Sequence, residues 1–498
     1  MLELMAALAM AAQTPDSEIV DWVAQGEATL EARKAVAPIT GPAKNVILFV
    51  ADGMDITTVT AGRIYVGQKA GKAGEEHVLS FETFPHVALA KTYTTNMQTA
   101  DSAGTATAML TGHKTKSGVI NVDQTVPRAD CAASQGKGLP SIIEYVASTG
   151  RVAGVVSTAR ITHATPATLY AVSPDRDWEA DTDLPQNADD CVDIAQQLIT
   201  TAAEKPLKLA FGGGRRAFLP SDTTDPEYDN QRGKRGDDKD LTADWRALSP
   251  DNKYVWNAEG FNALTPGDAG AILGLFEPSH MQYEGDRAED GVGEPSLAEM
   301  TTFAIDHLSA DEDGFFLVVE GGRVDHAHHA GNAYRALEDV AAFDAAIAAA
   351  LEKTTPEETL IIVTADHGHT MALQGYPQRG NPILGVVKSV GRDGAPSDRP
   401  YPAADGKPYT TLAYANGPGS PFARPHRSEE RLDRPFVTDE EAQAKDYNQQ
   451  SIVPSLSETH GGQDVSIYAH GPGAYLMGGV VEQNFIYYVM REAMTAAE

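Results

Sequence analysis

Asn45-Val46-Ile47-Leu48-Phe49-Val50-Ala51-Asp52-Gly53 decides the fold. The run through Ala51 is apolar without alternation, the signature of a strand buried on both faces of a parallel sheet. It ends abruptly at a carboxylate. The same design recurs along the chain. Arg151 to Val156 leads into Ser157-Thr158, with His163 and Thr165 just beyond. Leu207 to Phe211 ends in three glycines. Phe315 to Val319 ends in Glu320-Gly321-Gly322, and Thr359 to Val363 ends in Thr364-Ala365-Asp366-His367. Helical stretches lie between these strands. In the clearest, Leu337, Val340, Phe343, Ile347 and Leu351 recur every three or four residues in an alanine-rich run. The fold class is therefore α/β: a doubly wound, mostly parallel central sheet with helices on both faces. Ligands of such sheets bind beyond the carboxyl ends of the strands, and four strands deliver metal-type residues there. Two insertions interrupt the alternation. One is acidic and loop-rich, over about 215–297. The other, over about 375–435, carries 10 of the 29 prolines and reads as irregular surface structure.

A length of 498 residues exceeds one ordinary compact domain. The net charge of −31 excludes nucleic acid as a partner. It does not exclude a phosphate substrate, because bound dications reverse the sign locally. No stretch approaches the length of a membrane span. Residues 1–12 are apolar and end in small residues, so they read as the remnant of a signal segment, although Glu3 interrupts them and no basic residue precedes them. That reading expects export, periplasmic or extracellular. Residues 13–40 read as an N-terminal helical arm with Ile19, Trp22, Val23 and Leu30 as contacts and Pro38 closing it. Residues 41–498 read as the catalytic domain. The two cysteines, Cys131 and Cys191, lie in no CxxC motif. They form one long-loop disulfide if the protein is exported, and two buried thiols if it is not.

Chemistry concentrates in a few short stretches. Asp101-Ser102-Ala103-Gly104-Thr105 places a serine where a helix is capped, with free N–H groups and the helix dipole facing an anion. No G-x-S-x-G elbow surrounds Ser102, so something other than a serine-hydrolase triad must draw off its proton. The stretch Glu320-Gly-Gly-Arg-Val-Asp325-His326-Ala-His328-His329 follows a buried strand. Asp325 and His329, four apart, share one helical face and can hold one ion. Asp366-His367 is a second pair, with His369 close by; Asp52 and His460 complete the set. Six or seven nitrogen and oxygen ligands are too many for one zinc ion. Two or three neighbouring ions beside an activatable serine form the arrangement for in-line phosphoryl transfer. An arginine is then wanted to fork onto phosphate oxygens, and Arg176 is the candidate.

Together these stretches resemble the alkaline phosphatases, the animal-type branch more than the enterobacterial one. The resemblance runs from Asp21-Trp22 to beyond Val480. It is carried by Asp52-Gly53-Met54, Thr99-Ala-Asp-Ser102-Ala-Gly-Thr-Ala-Thr-Ala108, Glu320 to His329, Thr364-Ala-Asp-His367 and Glu458-Thr-His460-Gly-Gly. It implies a metal-dependent phosphate monoester hydrolase in which Ser102 becomes a phosphoserine. It implies two zinc ions and one magnesium ion. Asp325, His329 and His460 match the ligands of the first zinc; Asp52, Asp366 and His367 match those of the second. Asp52, Thr165 and Glu320 match the magnesium ligands, and Arg176, oriented by Asp101, matches the phosphate-binding arginine. His163 and His326 stand where the enterobacterial branch has an aspartate and a lysine, which puts the identity of the third ion in question and leaves His326 in a supporting layer. The acidic insertion resembles the animal-type calcium site, with Glu227, the Phe276 carbonyl, Glu277 and Glu294 as ligands, Glu294 standing where an aspartate is usual. The insertion near 375–435 resembles the crown beside the dimer interface, and Cys131–Cys191 resembles one of the family's disulfides. Both imply a secreted homodimer acting on small phosphate monoesters.

Other classes remain to be weighed. A sulfatase needs Cys/Ser-x-Pro-x-Arg, and Ser102 is followed by Ala103-Gly104. A related phosphodiesterase commonly uses threonine as its nucleophile. A non-catalytic metal-binding relic should have lost Ser102, Arg176 or a bridging ligand, and all are in place.

Overall fold

The computed structural model describes residues 21–186, 188, 190–421 and 434–495. The signal-like segment, Ile19 and part of the proline-rich insertion lie outside the described residues. Ten strands form one sheet. At its centre β1 (Asn45–Ala51) pairs in parallel with β7 (Phe315–Gly321) on one side and β8 (Thr359–Thr364) on the other. Beyond β7 come β3 (Val152–Arg160) and β4 (Leu207–Gly213), again parallel. Beyond β8 the strand Val465–His470 runs antiparallel, then β2 (His86–Lys91), with Gly479–Glu482 at the edge.

The central strands are apolar on both faces because helices cover both. Val46 to Ala51, Phe315 to Val319 and Leu360, Ile362 and Val363 are all fully buried, and each large aliphatic or aromatic side chain so placed stabilises the fold by about 1.5–3 kcal/mol. Helix α1 (Trp22–Lys34) is different. Asp21 caps it, accepting the N–H groups of Val23 and Ala24, but no residue in it is buried. Trp22, Val23 and Leu30 are exposed, and Arg33 holds the helix to the body by donating to the Pro85 carbonyl. The contacts expected of those apolar residues are therefore not made within one chain.

The acidic insertion departs from a pure loop. Lys253–Val255 (β5) and Ile272–Leu275 (β6) continue the central sheet in the order β4-β6-β5, all parallel. Strands this short carry too few residues to show a pattern, and acidic turns flank them. The proline-rich insertion supplies Leu412–Gly417 as the middle strand of a small separate sheet, between Met371–Leu373 and Ser451–Pro454 from its flanks. No helix among the described residues is long and apolar enough to cross a membrane.

Cys131 and Cys191 are joined in a disulfide that closes a separation of 60 residues. Loop closure of that size restricts the unfolded chain by at most about 4 kcal/mol. Replacing both cysteines by serine is expected to lower the unfolding free energy by about 2–4 kcal/mol, read as a shift in the guanidinium midpoint. An unchanged midpoint would show that the local core already supplies the restraint.

At the other end of the chain, the helix Phe485–Met494 packs against α3 (Ser102–Thr111). Gly112 ends α3 in the left-handed conformation, at φ 75°, and a Cβ there would lie 2.7 Å from the Tyr487 ring. Asn484 Nδ2 donates to the Gly112 carbonyl, Gln483 Nε2 to the Asp366 carbonyl, and Ala43 N–H to the Ala493 carbonyl. The last helix thus ties the serine helix, the end of β8 and the entrance to β1 together.

Candidate active site and metal centre

Register brings the chemistry to one level. Val50 stands opposite Glu320 in β7 and Thr364 in β8, and Ser157 of β3 also stands opposite Glu320. Asp52, Glu320 and Asp366 therefore leave three adjacent strands side by side at their carboxyl ends. Ser102 is the first residue of α3 and is buried. Asp101 caps that helix: Oδ1 accepts the Gly104 N–H at 3.2 Å, while Oδ2 accepts the Gly118 N–H at 2.9 Å and Arg176 Nη1 at 3.1 Å. One carboxylate so fixes both the serine turn and the guanidinium. Ser102 Oγ lies 3.2 Å from His367 Nε2 and 3.4 Å from Asp52 Oδ2. His367 Nε2 is in turn 3.2 Å from Asp52 Oδ1 and 3.3 Å from Asp366 Oδ2.

A second cluster joins Asp325, His329, His369 and His460. Helix geometry gives Asp325 and His329 their common face, 3.4 Å apart. His329 Nδ1 lies 2.6 Å from the Glu458 carbonyl and His460 Nδ1 2.7 Å from the Ala100 carbonyl. A carbonyl only accepts, so both rings carry their proton on Nδ1 and present bare Nε2 lone pairs. Those two Nε2 atoms are 3.0 Å apart. Two lone pairs aimed at each other beside a buried carboxylate fit a cation between them, the donor set of zinc. His369 differs. Its Nδ1 meets Glu458 Oε2 at 2.6 Å and its Nε2 meets Asp325 Oδ1 at 2.8 Å. Burial alone would lower its pKa, but the hydrogen bonds to the two carboxylates push it up to about 10. His369 therefore holds Asp325 as a charged donor.

A third group brings Asp52, Glu320 and His163 together. Asp52 Oδ1, Glu320 Oε1 and Thr165 Oγ1 are buried with no hydrogen-bond partner among the described residues. Burial and the charge of Asp366 push Glu320 up to about 7, against the hydrogen bond from Ser157. Burial, with Asp366, Asp325 and Glu320 nearby, also holds Asp52 well above the usual carboxylate range. Orphaned carboxylate oxygens packed this closely fit a hard cation such as magnesium. His163 adds a nitrogen to the oxygen-only set expected from the sequence. Burial and Arg176 keep it neutral, with Nε2 3.1 Å from Arg176 Nη2. His326 is pushed down to about 3, chiefly by burial, and its ring lies 4.0 Å from that of His280.

The acidic insertion gathers Glu227, Glu277 and Asp290. Phe276 is buried between β6 and Glu277. Glu294, expected in the set, is not among the three converging carboxylates; its Oε1 accepts the Gln282 N–H instead. Asp290, which follows the short turn Arg287–Glu289, supplies the third carboxylate of the group. Three residues of consequence escaped the sequence reading: Glu458, which was quoted in a motif without a role, His280 and Asp290. Only Glu458 carried a signal, its place two residues before His460.

A serine at a helix N-terminus, an arginine fork and three cation-fitting clusters at the carboxyl ends of the central strands define a metal-dependent hydrolase of the α/β class. The particular family follows: residues 43–496 match that of alkaline phosphatase, and the chain belongs to it. It is 41% identical over 504 residues to the tissue-nonspecific isozyme of alkaline phosphatase from Gallus gallus, covering 99% of this chain and 93% of that one. With the tissue-nonspecific isozyme of Homo sapiens the identity is 41% over 481 residues, covering 95% and 88%. With the membrane-bound alkaline phosphatase of Bombyx mori it is 41% over 487 residues, covering 95% and 84%. Among solved structures, alkaline phosphatase from Thermus thermophilus is similar at a TM-score of 0.62 and 23% identity, covering 93% of both chains, and so supports the fold. The protein is a hydrolase of phosphate monoesters that uses metal ions.

Proposed function

We propose that the reaction runs through a phosphoserine on Ser102. The observation that carries this is the position of Ser102 Oγ, within 3.4 Å of both Asp52 Oδ2 and His367 Nε2. Asp325, His329 and His460 would hold one zinc ion, Asp52, Asp366 and His367 a second, and Asp52, Thr165 and Glu320 a magnesium ion; bound there, the ions would supply Lewis acidity for the reacting oxygens. Every other part belongs to the chain. Arg176 binds the phosphate through the guanidinium N–H groups that Asp101 and His163 leave free. The N–H groups of the first turn of α3 face the developing negative charge. Asp101 fixes the serine and the arginine relative to each other, so the Oγ is poised for in-line attack. The ester oxygen leaves on the opposite side, and water re-enters by that side to release phosphate. His163 and His326 act in a supporting layer, His163 by holding the Arg176 fork.

The cation of the acidic insertion is read as calcium, from its all-oxygen donors. The disulfide supports export, and the apolar side chains exposed on α1 support a homodimer. The chain is read as an N-terminal arm followed by one catalytic domain with two insertions. Acid quenching during turnover of an excess of monoester, followed by peptide mass analysis, is expected to find phosphate on the peptide bearing Ser102. Phosphate on no peptide, with turnover intact, would point to direct attack by water.

A further inference from the structure

Arg176 is held by more than its side-chain contacts with Asp101 and His163. Its backbone N–H donates to the Gly118 carbonyl at 2.9 Å, and the Gly118 N–H donates to Asp101 Oδ2 at 2.9 Å. Gly118 thus links the backbone of the arginine to the carboxylate that fixes its guanidinium. A second arginine lies on that glycine. A Cβ at Gly118, where φ is 83°, would stand 2.5 Å from Arg128 Cδ and 2.8 Å from its Nε and Nη1. Only glycine lets the Arg128 side chain lie so close.

Arg128 ends on the residues either side of Arg176. Its Nη2 donates to Asp175 Oδ1 at 2.8 Å and to Asp177 Oδ2 at 2.5 Å. Asp175 Oδ1 also accepts the Asp177 N–H at 3.0 Å, and the Asp175 carbonyl accepts the Trp178 N–H at 3.3 Å. One guanidinium nitrogen therefore gathers the turn that carries Arg176. An exposed ion pair alone contributes little. Here the Asp175 side chain is only 12% exposed, and a single oxygen of it serves both the cation and the turn.

The loop that bears Arg128 is itself fastened to this turn. Ala129 adopts the left-handed conformation, at φ 62°, which a residue other than glycine keeps only where its surroundings hold it there. Its N–H donates to the Pro174 carbonyl at 2.9 Å. Two residues on, Cys131 is bonded to Cys191 and packs with Trp178. Just beyond Arg128 the chain is thus tied twice to residues 174–178.

We propose that Arg128 is a positioning residue for phosphate recognition: by binding Asp175 and Asp177 together it fixes the turn that presents Arg176. The inference rests on the reading of Arg176 as the phosphate-binding arginine. Loss of Arg128 should weaken substrate and product binding alike and leave the attack by Ser102 untouched, so KM and the inhibition constant of inorganic phosphate rise while kcat holds.

The test is steady-state hydrolysis of a chromogenic monoester by the zinc- and magnesium-loaded protein, with inorganic phosphate as inhibitor. In Arg128→Met, which keeps an apolar stem over Gly118, KM and the inhibition constant are expected to rise by about fivefold or more, with kcat within about twofold of wild type. Arg128→Lys, which can still reach the two carboxylates with a charge, should bring both constants most of the way back. Asp177→Ala separates positioning from charge, and its side chain is 73% exposed, so the fold tolerates the change. Removing a negative charge beside Arg176 would by itself tighten phosphate binding, whereas loosening the turn weakens it. A rise of about twofold or more in the inhibition constant is therefore expected in Asp177→Ala. An unchanged or lower constant there, or a fall of kcat in Arg128→Met with KM unmoved, would overturn the proposal. Arg176→Ala with both constants unchanged would instead overturn the role of Arg176 itself. Near-ultraviolet circular dichroism checks the fold of each variant, and Asp177→Ala decides alone if Arg128→Met does not fold.

Discussion

Replacing Ser102 with alanine is expected to lower the rate of phosphate release by roughly a thousandfold or more at saturating monoester. The magnitude comes from the division of labour in the site. Arg176, the helix N-terminus and the three cation clusters all remain, so phosphate still binds; what disappears is the oxygen that attacks. The substitution should do little else. Ser102 occupies the first turn of α3, where alanine is a good helix former, and the cap belongs to Asp101, which keeps its bonds to Gly104, Gly118 and Arg176. Metal content, thermal midpoint and inhibition by inorganic phosphate should stay near wild type while kcat collapses. Ser102→Ala retaining more than a tenth of the wild-type rate would move the attacking group from the serine to water.

The second large effect is loss of the ions. Chelation is expected to abolish activity, and returning zinc and magnesium together to restore it. It should also make the protein sensitive to base, with a sign fixed by the carboxylates. Glu320 and Glu277 are pushed up to about 7 and Glu294 to about 9, burial being the largest cause in each. A carboxyl group whose pKa is raised by folding contributes stability at low pH and loses it as pH rises through the folded value. Buried histidines act in the opposite direction, but their unfolded forms, half deprotonated at about pH 6.5, are almost fully so by about pH 7.5, so little of that effect remains above pH 7. His369, raised to about 10 by its bonds to Asp325 and Glu458, joins the carboxylates: its contribution is present below about pH 6.5 and fades toward 10. Between pH 7 and 9 the stripped protein should therefore lose stability, by about 5 °C or more in thermal midpoint. The metal-loaded protein should change much less, because the ions compensate the same charges. Midpoints at pH 7, 8 and 9, with and without chelator, decide it. Parallel curves would mean that the clusters are not what binds the ions.

The sheet was legible where burial is complete. Strands β1, β3, β7 and β8 are covered on both faces, so each carries a continuous run of residues without polar side chains, and their ends announce themselves with Asp52, Glu320 and Asp366. Strands β5 and β6 were illegible for the opposite reason: three or four residues cannot establish a period, and acidic turns surround them. The zinc-type ligands could be found because their chemistry is local, two donors on one helical turn or at one strand end. His369 lay in plain view beside Asp366-His367. Its role needed Glu458, which folding brings from 89 positions away. Asp290 had no local signal at all, since an aspartate among other acids in a loop looks the same whether or not it points inward. Glu294 entered through the family resemblance, and its buried, unpartnered Oε2 is a feature that no sequence pattern displays.

The clamp formed by the final helix bears on how the protein is made. Ser102 is synthesised early and His460 late, and the contacts of Asn484 with Gly112 and of Gln483 with Asp366 come later still. A ribosome-bound chain therefore carries its reactive hydroxyl for most of its synthesis without the ligand that completes the site or the brace that steadies the serine helix. The site is thus assembled late in folding, from residues far apart along the chain.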